Sequence, residues 1–163
     1  MLKISNRALF ARVWQDPRFF LAFGFGSGLM PIAPGTWGTL AAMPVYLLLA
    51  NSGWVFYSTF TCVTFILGVF VCDRVSRDLG AHDYSGIVWD EIVGYLITMF
   101  LAPPGFIWML IGFVLFRVFD IWKPQPIGWV DRRVQGCLGI MMDDVLAAIP
   151  AWVILQLLAW GVQ

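Results

Sequence analysis

The stretch 112–126, GFVLFRVFDIWKPQP, ends an apolar run in Arg117, Asp120 and Lys123 and then breaks at Pro124. On a helix these three charges stand at i, i+3 and i+6 and share one broad face. A cation, a carboxylate and a second cation at the end of an apolar helix offer a place for a phosphate and a metal ion. Two pairs of adjacent carboxylates, Asp90-Glu91 and Asp143-Asp144, stand near the starts of two other apolar stretches. Neighbouring residues on a helix point about 100° apart, so one member of each pair is available to a metal while the other orients it or holds a structural hydrogen bond. Oxygen ligands without clustered His or Cys select a hard cation, Mg²⁺ or Mn²⁺. Arg117 as a fork and Lys123 as a point charge suit phosphate oxygens. The glycine-rich loop GFGSGLMPIAPG (24–35), followed by a helix start capped by Thr36, adds backbone N–H groups for an anion. It is not a P-loop, because no Gly-Lys-Ser/Thr follows.

The chain that must hold these groups is apolar. Of 163 residues, read as one domain spanning 1–163, 60% are hydrophobic and 12% charged, against ~25% charged in a soluble domain. From Phe19 to Cys72 there is no Asp, Glu, Lys or Arg, which places that stretch in lipid. The fold expected is all-α, an integral-membrane helical bundle of about five apolar helices after an N-terminal amphipathic segment. That segment, 1–18, is expected to lie on the membrane surface, with Asp16 and Arg18 as interfacial charges. The helices are expected over 37–50 with a kink at Pro44, 54–77, 88–101, 106–122, and from the glycines at 136 and 139 to about Trp160. Net charge is zero, so no basic face is available to nucleic acid. The charges at Lys3, Arg7, Arg12, Asp16 and Arg18 break up any signal-peptide core. Cys62, Cys72 and Cys137 are odd in number, lack a CxxC, and read as small buried hydrophobes.

Threading these helices back and forth puts the turns at 51–53 and 102–105 and the C-terminus on one side, all without charge. All ten Lys and Arg fall on the other side, which the positive-inside rule makes cytoplasmic. Helix 88–101 has only about a dozen residues beyond Glu91, ~18 Å at 1.5 Å per residue. It is therefore a partial span, or Asp90 and Glu91 sit below the headgroup level, where carboxylates are functional by default. Single carboxylates such as Asp73 and Asp78 read as helix-dipole partners or caps. Arg132 and Arg133 read as topology charges, His82 as a solvated loop residue, and most of the nine tryptophans as lipid-interface anchors.

Several chemistries are excluded. One histidine cannot supply both the nucleophile and the acid of a two-histidine lipid phosphatase. Six positions after Cys72 and Cys137 stand Asp78 and Asp143, not the arginine of a cysteine phosphatase. No Asp-x-Asp occurs, and no DGxxAR-type helix marks a CDP-alcohol phosphotransferase. A phosphatase here would use a metal and carboxylates. The alternatives are an ion-coupled membrane transporter, which calls for polar groups near the midplane, and a small membrane scaffold subunit with structural ion pairs.

Four blocks in order, GSGLMPIAPGTWGT (26–39), IVWDEIVG (87–94), FRVFDIWKPQPI (116–127) and GIMMDDVLAA (139–148), resemble the phosphatidylglycerophosphatase A family. Met30 and Ala148 depart from the family's pattern without removing a charge. The resemblance implies a multi-pass protein of the bacterial inner (cytoplasmic) membrane, with its active site facing the cytoplasm. Its substrate would be the phospholipid phosphatidylglycerophosphate, cleaved with Mg²⁺ to phosphatidylglycerol. It implies that Asp90, Glu91, Asp120, Asp143 and Asp144 form the acidic catalytic site, with Glu91, Asp120 and Asp144 on the metal. Arg117, Lys123 and Thr36 would hold the substrate phosphate. A carboxylate, Asp144 or Glu91, would act as general base on a water; attack by an aspartate stays open beside it.

Overall fold

The computed structural model describes residues 6–81, 84–125 and 136–162, and these form helices and turns with no strand among them. His82, Arg132 and Arg133 lie outside the described residues. Seven α-helices are described: α1 (Asn6–Gln15), α2 (Pro17–Ala22), α3 (Pro34–Leu49), α4 (Trp54–Leu79), α5 (Trp89–Thr98), α6 (Phe106–Trp122) and α7 (Cys137–Val162). A short 3₁₀ turn, Ser27–Leu29, lies between α2 and α3.

The five long apolar segments expected from sequence are α3 to α7, and the amphipathic segment is α1–α2. In α1, Leu9 and Val13 are buried while Phe10 and Trp14 stay exposed. Asp16 caps α2, its Oδ1 accepting from the Arg18 N–H at 2.9 Å. The hydrogen bond from the Arg18 side chain holds the Asp16 carboxyl below its ordinary pKa. The two short helices are pinned to the end of α4, where Arg12 Nη2 donates to Asp78 at 3.0 Å and Arg18 lies 3.8 Å away.

Both α4 and α7 run 26 residues and are apolar enough to cross a membrane, ~39 Å at 1.5 Å per residue. Their outward faces, and those of α3 and α6, expose Leu48, Phe70, Ile121, Trp122 and Leu157, a continuous apolar surface that a soluble monomer does not carry. Gly53 (φ 80°) opens α4, and Gly80 (φ 64°) closes it, with its N–H bonded to the Arg77 carbonyl.

The short helix α5 packs against α3, α4, α6 and α7 and so sits at the centre. Nearly all of it is buried. At ten residues it reaches only ~15 Å, so both its ends stop inside the bundle. Its last carbonyls are satisfied by side chains of neighbours. Tyr57 of α4 donates to the Leu96 carbonyl at 2.6 Å. Trp152 and Gln156 of α7 donate to that of Phe100 at 2.8 and 2.9 Å. Within an apolar bundle such carbonyls have no water to turn to.

Four expectations change. The helix expected over 88–101 ends at Thr98, because Leu101 takes a left-handed conformation (φ 56°) ahead of the two prolines at 103 and 104. Thr36 does not cap α3. Ala33 holds the cap position in a left-handed conformation, and Pro34, which lacks an N–H, starts the helix three residues earlier than expected. Asp73 and Asp78 stand near the C-terminal end of α4, where a carboxylate opposes the dipole. They are held by cations instead: Asp73 by Arg77, and Asp78 by Arg12 and Arg18. Cys62 is exposed on the outer face of α4, whereas Cys72 and Cys137 are buried and free.

Candidate active site

The charges along the chain order gather at one end of the bundle because α5 and α7 start there and α6 ends there. The start of α5 is fixed from two sides. The Val88 N–H donates to the Ala22 carbonyl at 2.9 Å, and Trp89 Nε1 donates to the Thr64 carbonyl of α4 at 3.0 Å. Trp89 is therefore a buried pin, not the lipid anchor expected of tryptophans here. The next two residues, Asp90 and Glu91, then meet groups on three other helices: Oε1 of Glu91 faces Gly35 of α3 and Arg117 of α6, and both carboxylates approach Asp144 of α7.

Close helix contact brings the other carboxylates to the same level. A Cβ at Gly94 would stand 2.5 Å from the Phe116 ring and 3.3 Å from the Asp144 carbonyl, so α5 lies directly on α6 and α7. Ala147, Ala148 and Ala151, on the face of α7 that carries Asp144, are fully buried, as small residues at close crossings are. Of the two residues singled out in the sequence blocks, Ala148 is buried in this contact and Met30 is exposed.

Asp90, Asp143 and Asp144 are buried, and the side chains of Glu91, Arg117 and Asp120 are 14%, 14% and 12% exposed. One carboxylate oxygen each from Asp90, Glu91 and Asp144 lies within 4.8 Å of the others. Oδ1 of Asp90, Oε2 of Glu91 and Oδ2 of Asp144 are buried without a hydrogen-bond partner. Three carboxylates this close, each with an oxygen that lacks a donor among the described residues, are an arrangement that a hard divalent cation fits, and that costs several kcal/mol without one. Asp120 stands at the margin of this trio. Its carboxylate is ion-paired to Nη1 of Arg117 and also reaches the carboxyl of Asp144.

The two cations are placed differently. Arg117 bridges the site: Nη1 touches Asp120 and lies 3.7 Å from Oε1 of Glu91, while its Nε is buried without a hydrogen-bond partner. Lys123 ends α6 in a left-handed conformation (φ 42°), which turns its side chain back so that Nζ pairs with Asp143 of α7. Thr36, in the first turn of α3, is half-buried. Its neighbour Gly35 makes the direct contact with the site: a Cβ there would overlap Oε1 of Glu91 and come 3.0 Å from Nη1 of Arg117. The sequence reading named Thr36 and passed over Gly35. The missed signal was a bare residue beside a helix-starting proline, which only becomes informative when Glu91, 56 positions on, is seen against it.

Buried carboxylates and two cations gathered at one end of an apolar helical bundle mark that end as a functional site. The family model for Phosphatidylglycerophosphatase A matches residues 20–159. A protein of that name from Escherichia coli (strain K12) is 46% identical over 136 residues, covering 83% of this chain and 79% of its own. Its counterpart from Haemophilus influenzae is 45% identical over 141 residues, covering 85% and 86%. A relative from Bacteroides thetaiotaomicron, named provisionally as a phosphatidylinositol-3-phosphatase, is 34% identical over 145 residues, covering 84% and 90%. The chain belongs to the phosphatidylglycerophosphatase A family. No solved structure matches it.

Proposed function

We propose that this protein hydrolyses the terminal phosphate monoester of phosphatidylglycerophosphate, giving phosphatidylglycerol and phosphate, at the carboxylate end of the bundle. The observation that carries the reading is the trio Asp90, Glu91 and Asp144, each with one buried carboxylate oxygen that has no hydrogen-bond partner among the described residues, with Arg117 beside Glu91 and Lys123 beside Asp143. The family and the names of the relatives from Escherichia coli and Haemophilus influenzae supply the substrate.

The residues fit Mg²⁺, with Glu91 and Asp144 as ligands and Asp90 or Asp120 completing the set. Bound there, the ion would supply positive charge to the phosphoryl oxygens and acidify a water. The chain's own groups do the rest. Arg117 and Lys123 already touch carboxylates, and an entering phosphate competes for the same donors, so both turn from holding acids to holding phosphate oxygens. Thr36, at the mouth of the first turn of α3, contributes its hydroxyl to the same anion. Asp144 or Glu91 takes the proton of the attacking water; an aspartate attacking phosphorus directly would leave an aspartyl phosphate for water to cleave. Asp143, tied to Lys123, sets where that lysine stands.

The bundle is read as crossing the bacterial inner membrane several times, with the charged end in the cytoplasm because the basic residues gather there. The acyl chains of the substrate then stay in lipid while its phosphate reaches the carboxylates. An ion-coupled transporter is disfavoured because the charged residues crowd one end of the order of helices and the turns at 51–53 and 102–105 carry none.

The test is phosphate release from phosphatidylglycerophosphate by purified protein in detergent, with Mg²⁺ and then with EDTA. Release with Mg²⁺ that EDTA abolishes is the expected result. Release from phosphatidylinositol 3-phosphate instead would keep the site and move the substrate. No release from any phosphorylated lipid by folded protein would overturn the reading.

A further inference from the structure

Gly35 has an ordinary helical backbone in the first turn of α3, so conformational freedom is not what its position requires. What it requires is the absence of a side chain. The space a Cβ would fill is taken by Oε1 of Glu91, with Cδ of Glu91 and Nη1 of Arg117 each 3.0 Å away. Gly38, one turn on, is bare for a related reason: its Cβ would stand 2.6 Å from that of Val88. The two glycines let α3 lie directly on the start of α5, and the Thr39 hydroxyl fixes the turn by donating to the Gly35 carbonyl at 2.9 Å.

We propose that Gly35 is a positioning residue for Glu91. Its bare backbone and the Arg117 guanidinium together pin Oε1, the guanidinium at 3.7 Å, and leave Oε2 buried without a partner of its own. The depth at which Oε2 meets Asp90 and Asp144 is then set by backbone contact with α3 and not by the rotamer preference of a glutamate. This rests on the reading of that trio as the phosphatase centre. A methyl group at position 35 displaces the Glu91 carboxylate toward the other two acids and away from Arg117.

The decisive experiment is a cycle of Gly35→Ala, Glu91→Asp and the double variant, with Gly112→Ala as control. Gly112 packs against Met99, near the uncharged end of α5, so its substitution carries a similar steric load without touching the site. Phosphate release from phosphatidylglycerophosphate, Mn²⁺ binding by electron paramagnetic resonance and the thermal midpoint are measured on each. Gly35→Ala is expected to lower release and Mn²⁺ affinity by about 10–100-fold, the usual cost of disturbing a group that orients a metal ligand. Gly112→Ala lowers the thermal midpoint and leaves Mn²⁺ affinity within about threefold. Because aspartate is one methylene shorter, Gly35→Ala/Glu91→Asp is expected to recover about tenfold over Gly35→Ala, although Glu91→Asp alone is impaired; such non-additivity marks direct contact.

Release and Mn²⁺ affinity in Gly35→Ala within about twofold of the parent, or a double variant no better than Gly35→Ala, would overturn the proposal. Phosphate release by a parent protein that binds no Mn²⁺ would instead overturn the metal reading, and the cycle in release would still decide on Gly35. A parent that releases no phosphate overturns the function; coupling of the two substitutions in thermal midpoint then decides whether the contact sets Glu91.

Discussion

Both ends of α5 stop inside the bundle, and they are completed by different chemistry. At its C-terminal end the carbonyls of Leu96 and Phe100 accept from Tyr57, Trp152 and Gln156, all neutral donors held by packed helices. At its N-terminal end Asp90 and Glu91 meet Asp144, each with one buried oxygen that has no hydrogen-bond partner among the described residues, and the nearby guanidinium of Arg117 is divided between Asp120 and Glu91. One end satisfies its polar groups within the chain; the other leaves buried acceptors open. Burying like charges together costs stability, and a fold that does so at only one end of a central helix marks that end as the place where something from outside must bind.

The contrast can be broken from either side, and the largest effect belongs to the open end. Asp90→Asn should cut phosphate release by about 10²–10³-fold, the scale seen on removing one preorganised electrostatic group. It should at the same time leave the metal-free thermal midpoint unchanged or higher, because one of three crowded acids is gone. Steady-state kinetics and a melting curve check both halves. A fall in midpoint with release intact would show the acids to be structural.

Arg117→Lys keeps the charge but loses the planar guanidinium whose Nη1 lies beside both Asp120 and Glu91. Release is expected to fall by about 10–100-fold, with a larger change in kcat/KM than in the melting temperature.

At the completed end, Tyr57→Phe removes the donor to the Leu96 carbonyl. The expected cost is about 0.5–1.5 kcal/mol of stability, read as a lower midpoint in detergent, with release by the folded protein within about twofold. Smallest of all, Asp78→Asn loses exposed ion pairs with Arg12 and Arg18 and should cost about 0–1 kcal/mol, less at high salt. A larger loss would mean that α1 and α2 do more than lean on α4.

How much of this was legible in the sequence follows from the range of each interaction. The absence of charge over 19–72 and the gathering of acids at 90–91, 120 and 143–144 lie on the chain itself, and they located the site's end of the bundle. What stayed hidden depended on long-range contact or on backbone detail. Thr36 looked like a cap because threonine often is one, but Ala33 in a left-handed conformation ahead of Pro34 took that position. The helix starting near Val88 looked longer because Met99, Phe100 and Leu101 are good helix residues; the prolines at 103 and 104 acted further upstream than expected. Trp89 read as a lipid anchor because its bond to Thr64 crosses 25 positions. Asp90 groups with Glu91 and Asp144 through contacts that cross up to 54 positions, while Asp120 is paired with Arg117, one turn away on the same helix.

The central claim is that Asp144 belongs to a divalent-cation centre for phosphate release. The direct measurement is the rate of phosphate release from phosphatidylglycerophosphate by Asp144→Asn beside the parent protein, both shown to be folded, across a Mg²⁺ titration. The account predicts a loss of at least about 10²-fold that no Mg²⁺ concentration restores. Release by Asp144→Asn at the parent rate and with the parent Mg²⁺ dependence would contradict it.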